Sequence, residues 1–160
     1  VLPICVAAKR RMPNVVEVSD TLQRRDVSNY GLVIGNPPYG RVQLNAEQRQ
    51  YFSRSLYGHA NLYGLFMDWG LRHVRDGGVL AFVTPTSFLG GQYFKSLRRL
   101  LCQDGSPVSL DFVADRDGVF DDVLQETILF VHSIGRKDRA SNVSRVVTRG
   151  LSGADVAPIA

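Results

Sequence analysis

Sulfur is scarce in this chain: two cysteines and two methionines stand among 160 residues. Cys5 and Cys102 lie far apart with no paired spacing, so the sequence offers neither a disulfide framework nor a cysteine-based zinc site. That predicts a reducing, cytoplasmic setting. Long apolar runs are also missing. None approaches the roughly 18 residues needed to span a bilayer, and no charged-then-apolar leader opens the chain, so no membrane partner is expected. His59, His73 and His132 have no ligand-like grouping, and no metal is expected. No internal repeat or low-complexity segment occurs. Charge of one sign is only mildly in excess, with 19 Lys+Arg against 15 Asp+Glu. A net charge of +4 permits nucleic-acid binding without requiring it. The hydrophobic share, 44%, is that of a folded domain rather than a disordered tail.

What is present alternates. Pro3–Met12 has proline at a first helical position and a basic end, which predicts a helix. Val15–Ser19 alternates and is β-branched, as a strand does. Gly31–Gly35 (GLVIG) is a short continuous apolar run, the pattern of a buried parallel strand. Arg41–Tyr57 is polar and partly helical. Asn61–Arg75 carries Leu62, Leu65, Phe66, Trp69 and Val74 at helical spacing and is expected to stop at Gly77-Gly78. Val79–Thr84 is a second buried strand, and Gln92–Cys102 a helix with Phe94, Leu97 and Leu101 on one face. Leu110–Ala114 and Thr127–Val131 have no room for a helix between them, which predicts an antiparallel pair at the sheet edge. Val143–Thr148 is a candidate last strand, followed by a weak tail. Strands alternating with helices indicate an α/β domain, with a mostly parallel sheet and an antiparallel C-terminal hairpin. The domain is expected over residues 1–150, with 151–160 as a tail.

Ligands of such sheets bind beyond the carboxyl ends of the strands. Immediately after Gly31–Gly35 come Asn36, Pro37, Pro38 and Tyr39. Two prolines remove two backbone donors and fix two φ angles, so the turn is rigid and its carbonyls are free to accept hydrogen bonds. Asn36 adds a side-chain carbonyl and Tyr39 a flat aromatic face. An exocyclic amine on a planar base would meet two acceptors and a stacking surface here. Those acceptors localise the nitrogen lone pair for attack on an electrophilic methyl group, a chemistry of positioning and preorganised electrostatics. A base in a duplex reaches such a pocket only when flipped out of the stack. The bland alternative is a plain β-turn, since Asn-Pro pairs form turns readily. The position at a strand tip favours function.

Asn36-Pro37-Pro38-Tyr39 followed by Gly40 resembles the target-amine motif of DNA adenine-N6 methyltransferases. Further segments follow in the order of their gamma class, the TaqI-type restriction-modification methylases. NLYGLF (Asn61–Phe66), GGVLAFVTPTSFL (Gly77–Leu89) and VFDDVLQETILF (Val119–Phe130) are each similar to a motif of that group. Asp20 lies sixteen residues before Asn36, where the group carries an acidic residue against the cofactor's adenine. The resemblance runs from about Pro3 to Val131. It implies a Rossmann-like methyltransferase fold and transfer of a methyl group from S-adenosylmethionine to the N6 amine of a flipped adenine in double-stranded DNA. It also implies a restriction endonuclease or defence-complex subunit as a partner.

Carried over by position, the resemblance implies that Asn36 and the main chain at Pro37 accept hydrogen bonds from the amine, with Asn36 also beside the cofactor. Tyr39 would stack on the base and Phe120 would pack against its other side, so the two rings should face each other across one pocket. Asp20 would bind the cofactor's adenine moiety and Phe66 would line the cofactor pocket. The chain departs from the pattern too. The glycine-containing cofactor loop and the acidic residue that holds the ribose are expected before Val1, which predicts a domain truncated on its N-terminal side and inactive alone. A target-recognition domain is expected after Ala160. Asp121 and Asp122 replace the basic residues that some relatives carry after the position of Phe120.

Other uses of the same residues are open. Phe66 lies on an apolar helix face and Asp20 can cap a turn. Lys95, Arg98 and Arg99 form a solvated helix face or a phosphate contact. Two other classes share the tetrapeptide or the fold. One is a methyltransferase acting on a different amine, protein glutamine or RNA guanine. The other is an inactive binding fragment. NLYGLF and VFDDVLQET favour DNA adenine over the first, while the missing cofactor loop leaves the second open for this stretch of chain.

Overall fold

The computed structural model describes residues 17, 19–25, 29–113, 126–135, 142–148 and 154–158, with side chains as far as residue 144. The elements in chain order are β1 (Tyr30–Gly35), β2 (Arg41–Val42), α1 (Ala46–Tyr51), β3 (Ala60–Asn61), α2 (Leu62–His73), β4 (Val74–Pro85), α3 (Lys95–Asp104), β5 (Gly105–Val113), β6 (Thr127–Ile134), β7 (Asn142–Thr148) and β8 (Ala154–Pro158). Short 3-10 turns occupy Thr21–Gln23, Thr86–Leu89 and Gln92–Phe94. Six strands form one sheet in the order β1-β4-β6-β5-β7-β8, and β2 pairs with β3 in a separate ribbon. Two pairings in the large sheet are parallel, β1 with β4 and β5 with β7. The other three are antiparallel. The expected α/β, Rossmann-like class holds.

Period-2 alternation sends Leu80, Phe82, Ile128 and Phe130 to one face of the sheet. There they join Tyr63, Met67 and Leu71 of α2 and Leu97, Leu100 and Leu101 of α3 in a single core. Both helices therefore lie on the same face. Gly70 lets α2 sit close, because a Cβ there would stand 2.5 Å from Leu80 Cδ1. A second, smaller cluster of Phe52, Ala60, Leu65 and Trp69 fixes the segment between β1 and α2. Asp68, fully buried on α2, anchors that segment by accepting hydrogen bonds from Arg54 Nε (2.6 Å), Ser55 Oγ (2.6 Å) and Arg72 Nε (3.1 Å).

Several expectations are corrected. Gly31–Gly35 is indeed a strand parallel to β4, yet it is not buried: Leu32 is 55% and Ile34 75% exposed. Among the described residues it has one hydrogen-bonded neighbour, and only Val33, the residue between them, points into the core. The helix expected over Asn61–Arg75 stops at His73, since Val74 is already extended and pairs with Tyr30. Gly77, at φ 74°, lies where the register shifts between Tyr30 and Leu32. The helix expected over Gln92–Cys102 begins as a 3-10 turn and runs on to Asp104. The antiparallel hairpin is not at the edge, because β6 sits between β4 and β5 and β5 continues to β7. In the expected tail, Ala154–Pro158 forms β8 against β7. The helix expected over Pro3–Met12 lies outside the described residues, as do Val15, Val16 and Val18 of the expected first strand. Glu17 and Ser19 are not in a strand.

Candidate active site at the strand tip

β1 and β4 run parallel, so Asn36 and the turn after Pro85 emerge at the same end of the sheet. α2 runs back from that end, which puts Tyr63 in its first turn beside Tyr39. The sequence analysis expected Asn36 at this tip, and there it is, with an exposed side chain, while Pro37 is buried and Tyr39 half-buried.

Tyr39 is held by its neighbours. Its hydroxyl lies 3.4 Å from Asn36 Oδ1 and 3.4 Å from the Val83 carbonyl. A phenol has one proton to donate, so the two acceptors share it. Burial raises the Tyr39 pKa, which keeps the phenol protonated as a donor. The ring meets Tyr63 edge-on, with centroids 6.1 Å apart at 82°. Tyr63 is itself fixed: its hydroxyl bonds Ser87 Oγ at 2.8 Å, and its ring stacks on Phe94 at 5.2 Å. Burial pushes its phenol up to about 12, against the opposing pull of the Ser87 bond. A row of aromatic rings thus runs from the strand tip to the start of α3.

A cleft of about 290 Å3 opens beside Asn36, lined by Gly35, Asn36, Pro37 and Pro38 on one side and by Thr21, Phe66 and Trp69 on another. That is close to the lower limit of small-molecule sites, about 300 Å3. It brings together three of the residues singled out from the sequence, namely Asn36, Pro37 and Phe66. Phe66 serves both readings, since it lines the cleft and also packs against the core. Asp20 is not among the lining residues. Its carboxylate caps the Thr21–Gln23 turn, accepting from Leu22 N at 3.1 Å and Gln23 Nε2 at 2.9 Å, and it is the next residue, Thr21, that borders the cleft. Phe120 lies outside the described residues.

Trp69 is a cleft residue that the sequence analysis counted only on an apolar helix face. Its indole stacks on His73 with centroids 3.9 Å apart, and its buried Nε1–H has no hydrogen-bond partner among the described residues. The available signal was its position three residues after Phe66, one turn along the same face. The Lys95, Arg98 and Arg99 run divides. Arg98 donates to the carbonyls of Phe88 and Gly91, both at 2.9 Å, and braces the turn that carries Ser87. Lys95 instead places its Nζ 3.5 Å from the centre of the Tyr57 ring, and Arg99 is exposed. No cluster of potential metal ligands occurs among the described residues, and no helix there is long and apolar enough to cross a membrane.

Residues 9–120 match the sequence model of the Eco57I restriction-modification methylase family. The Type II methyltransferase M.BsuBI of Bacillus subtilis is 30% identical over 112 residues, covering 69% of this chain and 22% of that protein. M.PstI of Providencia stuartii matches with the same identity and coverage. The chain therefore spans about a fifth of the length of these curated relatives. Among solved structures, a Listeria monocytogenes protein described as a class I S-adenosylmethionine-dependent methyltransferase superposes with a TM-score of 0.64. Its sequence identity is 21%, over 82% of this chain and 41% of that one.

Proposed function

This chain belongs to the Eco57I restriction-modification methylase family, and from that premise we propose that it carries the methyl-transfer site of a DNA adenine-N6 methyltransferase. The observation that carries the reading is the rigid Asn36-Pro37-Pro38-Tyr39 turn at a strand tip, open to a cleft walled by Phe66 and Trp69. In this reading Asn36 Oδ1 and the Pro37 carbonyl accept the two hydrogens of the target amine. Oδ1 has two lone pairs, so it can take one of those hydrogens while keeping the Tyr39 hydroxyl. The Tyr39 bond then orients the acceptor, and the ring offers a stacking surface to the flipped base. Drawing both hydrogens toward acceptors directs the nitrogen lone pair into the cleft.

S-adenosylmethionine, the cofactor this reading requires, supplies a methyl group already activated on a sulfonium, so no acid, metal or covalent nucleophile is asked of the chain. The cleft suits part of such a molecule. Two of its walls, Phe66 and Trp69, are aromatic and offer flat apolar surface to a planar adenine. Phe66, Trp69 and Thr21 would hold the cofactor, with Asp20 acting through the turn it caps. Transfer would break the sulfonium's S–C bond, leaving a neutral thioether, and the surplus proton on the amine, held by Asn36 Oδ1 or the Pro37 carbonyl, would pass to water. Double-stranded DNA and a companion endonuclease are the partners that follow from this role.

Replacing Asn36 by Ala removes one preorganised acceptor, a loss worth on the order of 100-fold in turnover. Tritium transfer from labelled S-adenosylmethionine to an adenine-containing duplex, catalysed by the whole protein, measures it. Unchanged turnover in that variant would exclude the role assigned to Asn36.

A further inference from the structure

We propose that the surface formed by Arg41, Tyr57, His59, Tyr93 and Lys95 holds the DNA strand that flanks the base presented to Asn36. This rests on the methyltransferase reading above and extends it from the reacting base to its neighbours. The residues come from three separate places in the chain, and the fold gathers them at one end of the sheet. Pairing of β2 with β3 sets Arg41 opposite Asn61, just before α2. The turn at Gly58, at φ 75°, packs under the Tyr93 ring, where a Cβ would stand 3.0 Å from two of its carbons. His59 lies against the same ring at 5.6 Å.

Each component suits a nucleic-acid strand. Arg41 and Lys95 form no ion pair among the described residues, so both cations are available to phosphates. Lys95 is poised over the Tyr57 ring. Tyr57 and Tyr93 are 44% and 48% exposed, so each ring presents part of a flat surface on which a base can stack. Beside Tyr93 a hollow of about 100 Å3 is lined by Arg41, His59, Asn61 and Tyr93, with no carboxylate on its wall. The Asn61 carboxamide oxygen is buried without a partner among the described residues. Cations interleaved with exposed aromatic rings are the composition of a surface that tracks a backbone and stacks its bases. An acidic protein segment would use the charges but not the rings.

Continuity fixes the orientation. Phe94 borders the hollow and stacks on Tyr63, which meets Tyr39 edge-on. The surface is therefore the next one a strand reaches on leaving the Asn36 pocket.

Fluorescence-anisotropy titration of the chain with a labelled adenine-containing duplex, between 50 and 200 mM salt, tests this. Each lost phosphate contact lowers the slope of log K against log salt by about 1, so the Arg41→Ala, Lys95→Ala double variant should lose about 2. Tyr93→Ala should weaken binding roughly 5- to 100-fold with the slope nearly unchanged. Arg75→Ala serves as the control, since Arg75 is exposed at the opposite end of β4 and removes the same charge. It should leave affinity within about twofold. The inference fails if the double variant keeps the wild-type slope, or if Arg75→Ala, which removes one cation, lowers the slope by half as much as the double variant, which removes two. It fails equally if the unaltered chain does not bind DNA, or binds polyglutamate more tightly. The methyltransferase reading is judged separately. Adenine methylation by the whole protein, combined with a wild-type slope in the patch variants, defeats this inference alone, and absence of methylation defeats the reading beneath it.

Discussion

Acid should weaken this fold through one imidazole. His132 on β6 is 1% exposed, stacked on Phe130 with centroids 5.5 Å apart. Burial lowers its pKa to about 4. The nearby Leu101 backbone opposes that shift, yet neither ring nitrogen makes a well-formed hydrogen bond among the described residues. In the unfolded chain the group titrates near 6.5. The unfolded state therefore binds the proton first, and stability is full above about pH 6.5 and declines as the pH falls toward 4. A gap between about 6.5 and about 4 amounts to roughly 3 kcal/mol in all, of which about 2 kcal/mol is lost between pH 7 and pH 5. Below about 4 both states are protonated and the loss ceases to grow. Carboxylates titrate in the same range, so the comparison must be with a variant. His132→Phe keeps a ring of similar volume against Phe130, removes two unpartnered nitrogens, and should be neutral or stabilising at pH 7. Urea denaturation of both proteins at pH 7 and pH 5 gives the test. The wild type should lose about 2 kcal/mol more than the variant on acidification. Equal losses would mean that His132 is solvated or hydrogen-bonded in solution, and the argument from its burial would be wrong.

Two further substitutions probe the packing that supports the site. Asp68→Ala leaves the Arg54 and Arg72 guanidiniums and the Ser55 hydroxyl without their buried acceptor, at a cost of about 3–5 kcal/mol read by chemical denaturation. Loss of less than about 1 kcal/mol would show that the segment is anchored elsewhere. Gly70→Ala drives a methyl to within 2.5 Å of Leu80 Cδ1 and should destabilise by about 1–3 kcal/mol, although alanine is the better helix former. A thermal melt no lower than the wild type would refute the close approach of α2.

Much of the fold was legible because its signals are local. The strand cores at Val79–Thr84 and Thr127–Val131, and the apolar face of Leu97 and Leu101, are set by period, and period survives folding. Boundaries and neighbours are not local properties. Nothing within VRDGG says that Val74 will pair with Tyr30, and that pairing ends α2 at His73, short of the two glycines. A continuous apolar run such as GLVIG reads as buried from composition. Burial, though, depends on what lies on both sides of the sheet, and in this strand only Val33 faces the core. The hairpin was misplaced for a similar reason. Short spacing between Leu110 and Thr127 fixes that the strands are neighbours, and cannot say that β6 turns inward to meet β4 while β5 turns outward to β7.

The site divides along the same line. Asn36, Pro37 and Tyr39 were readable because contiguous residues at a strand tip share a location by covalent necessity. Phe66 was readable only in part, because one helix face served both core and cleft. Trp69 was passed over as a cleft residue because it lies on that same face. Asp20 shows that spacing does not report what a carboxylate already holds. Sixteen residues before Asn36 is the distance the resemblance implies for an adenine contact, yet the carboxylate is already engaged by Leu22 N and Gln23 Nε2. A carboxylate has about four acceptor positions, so capping a turn does not exhaust it. The cap holds the backbone at Thr21, which borders the cleft. Lys95 was legible only as a cation on its own helix face, and its grouping with Arg41 and Tyr93 was beyond reach from the sequence, since a turn at Gly58, a two-residue ribbon and the start of a helix had to converge before they became one surface.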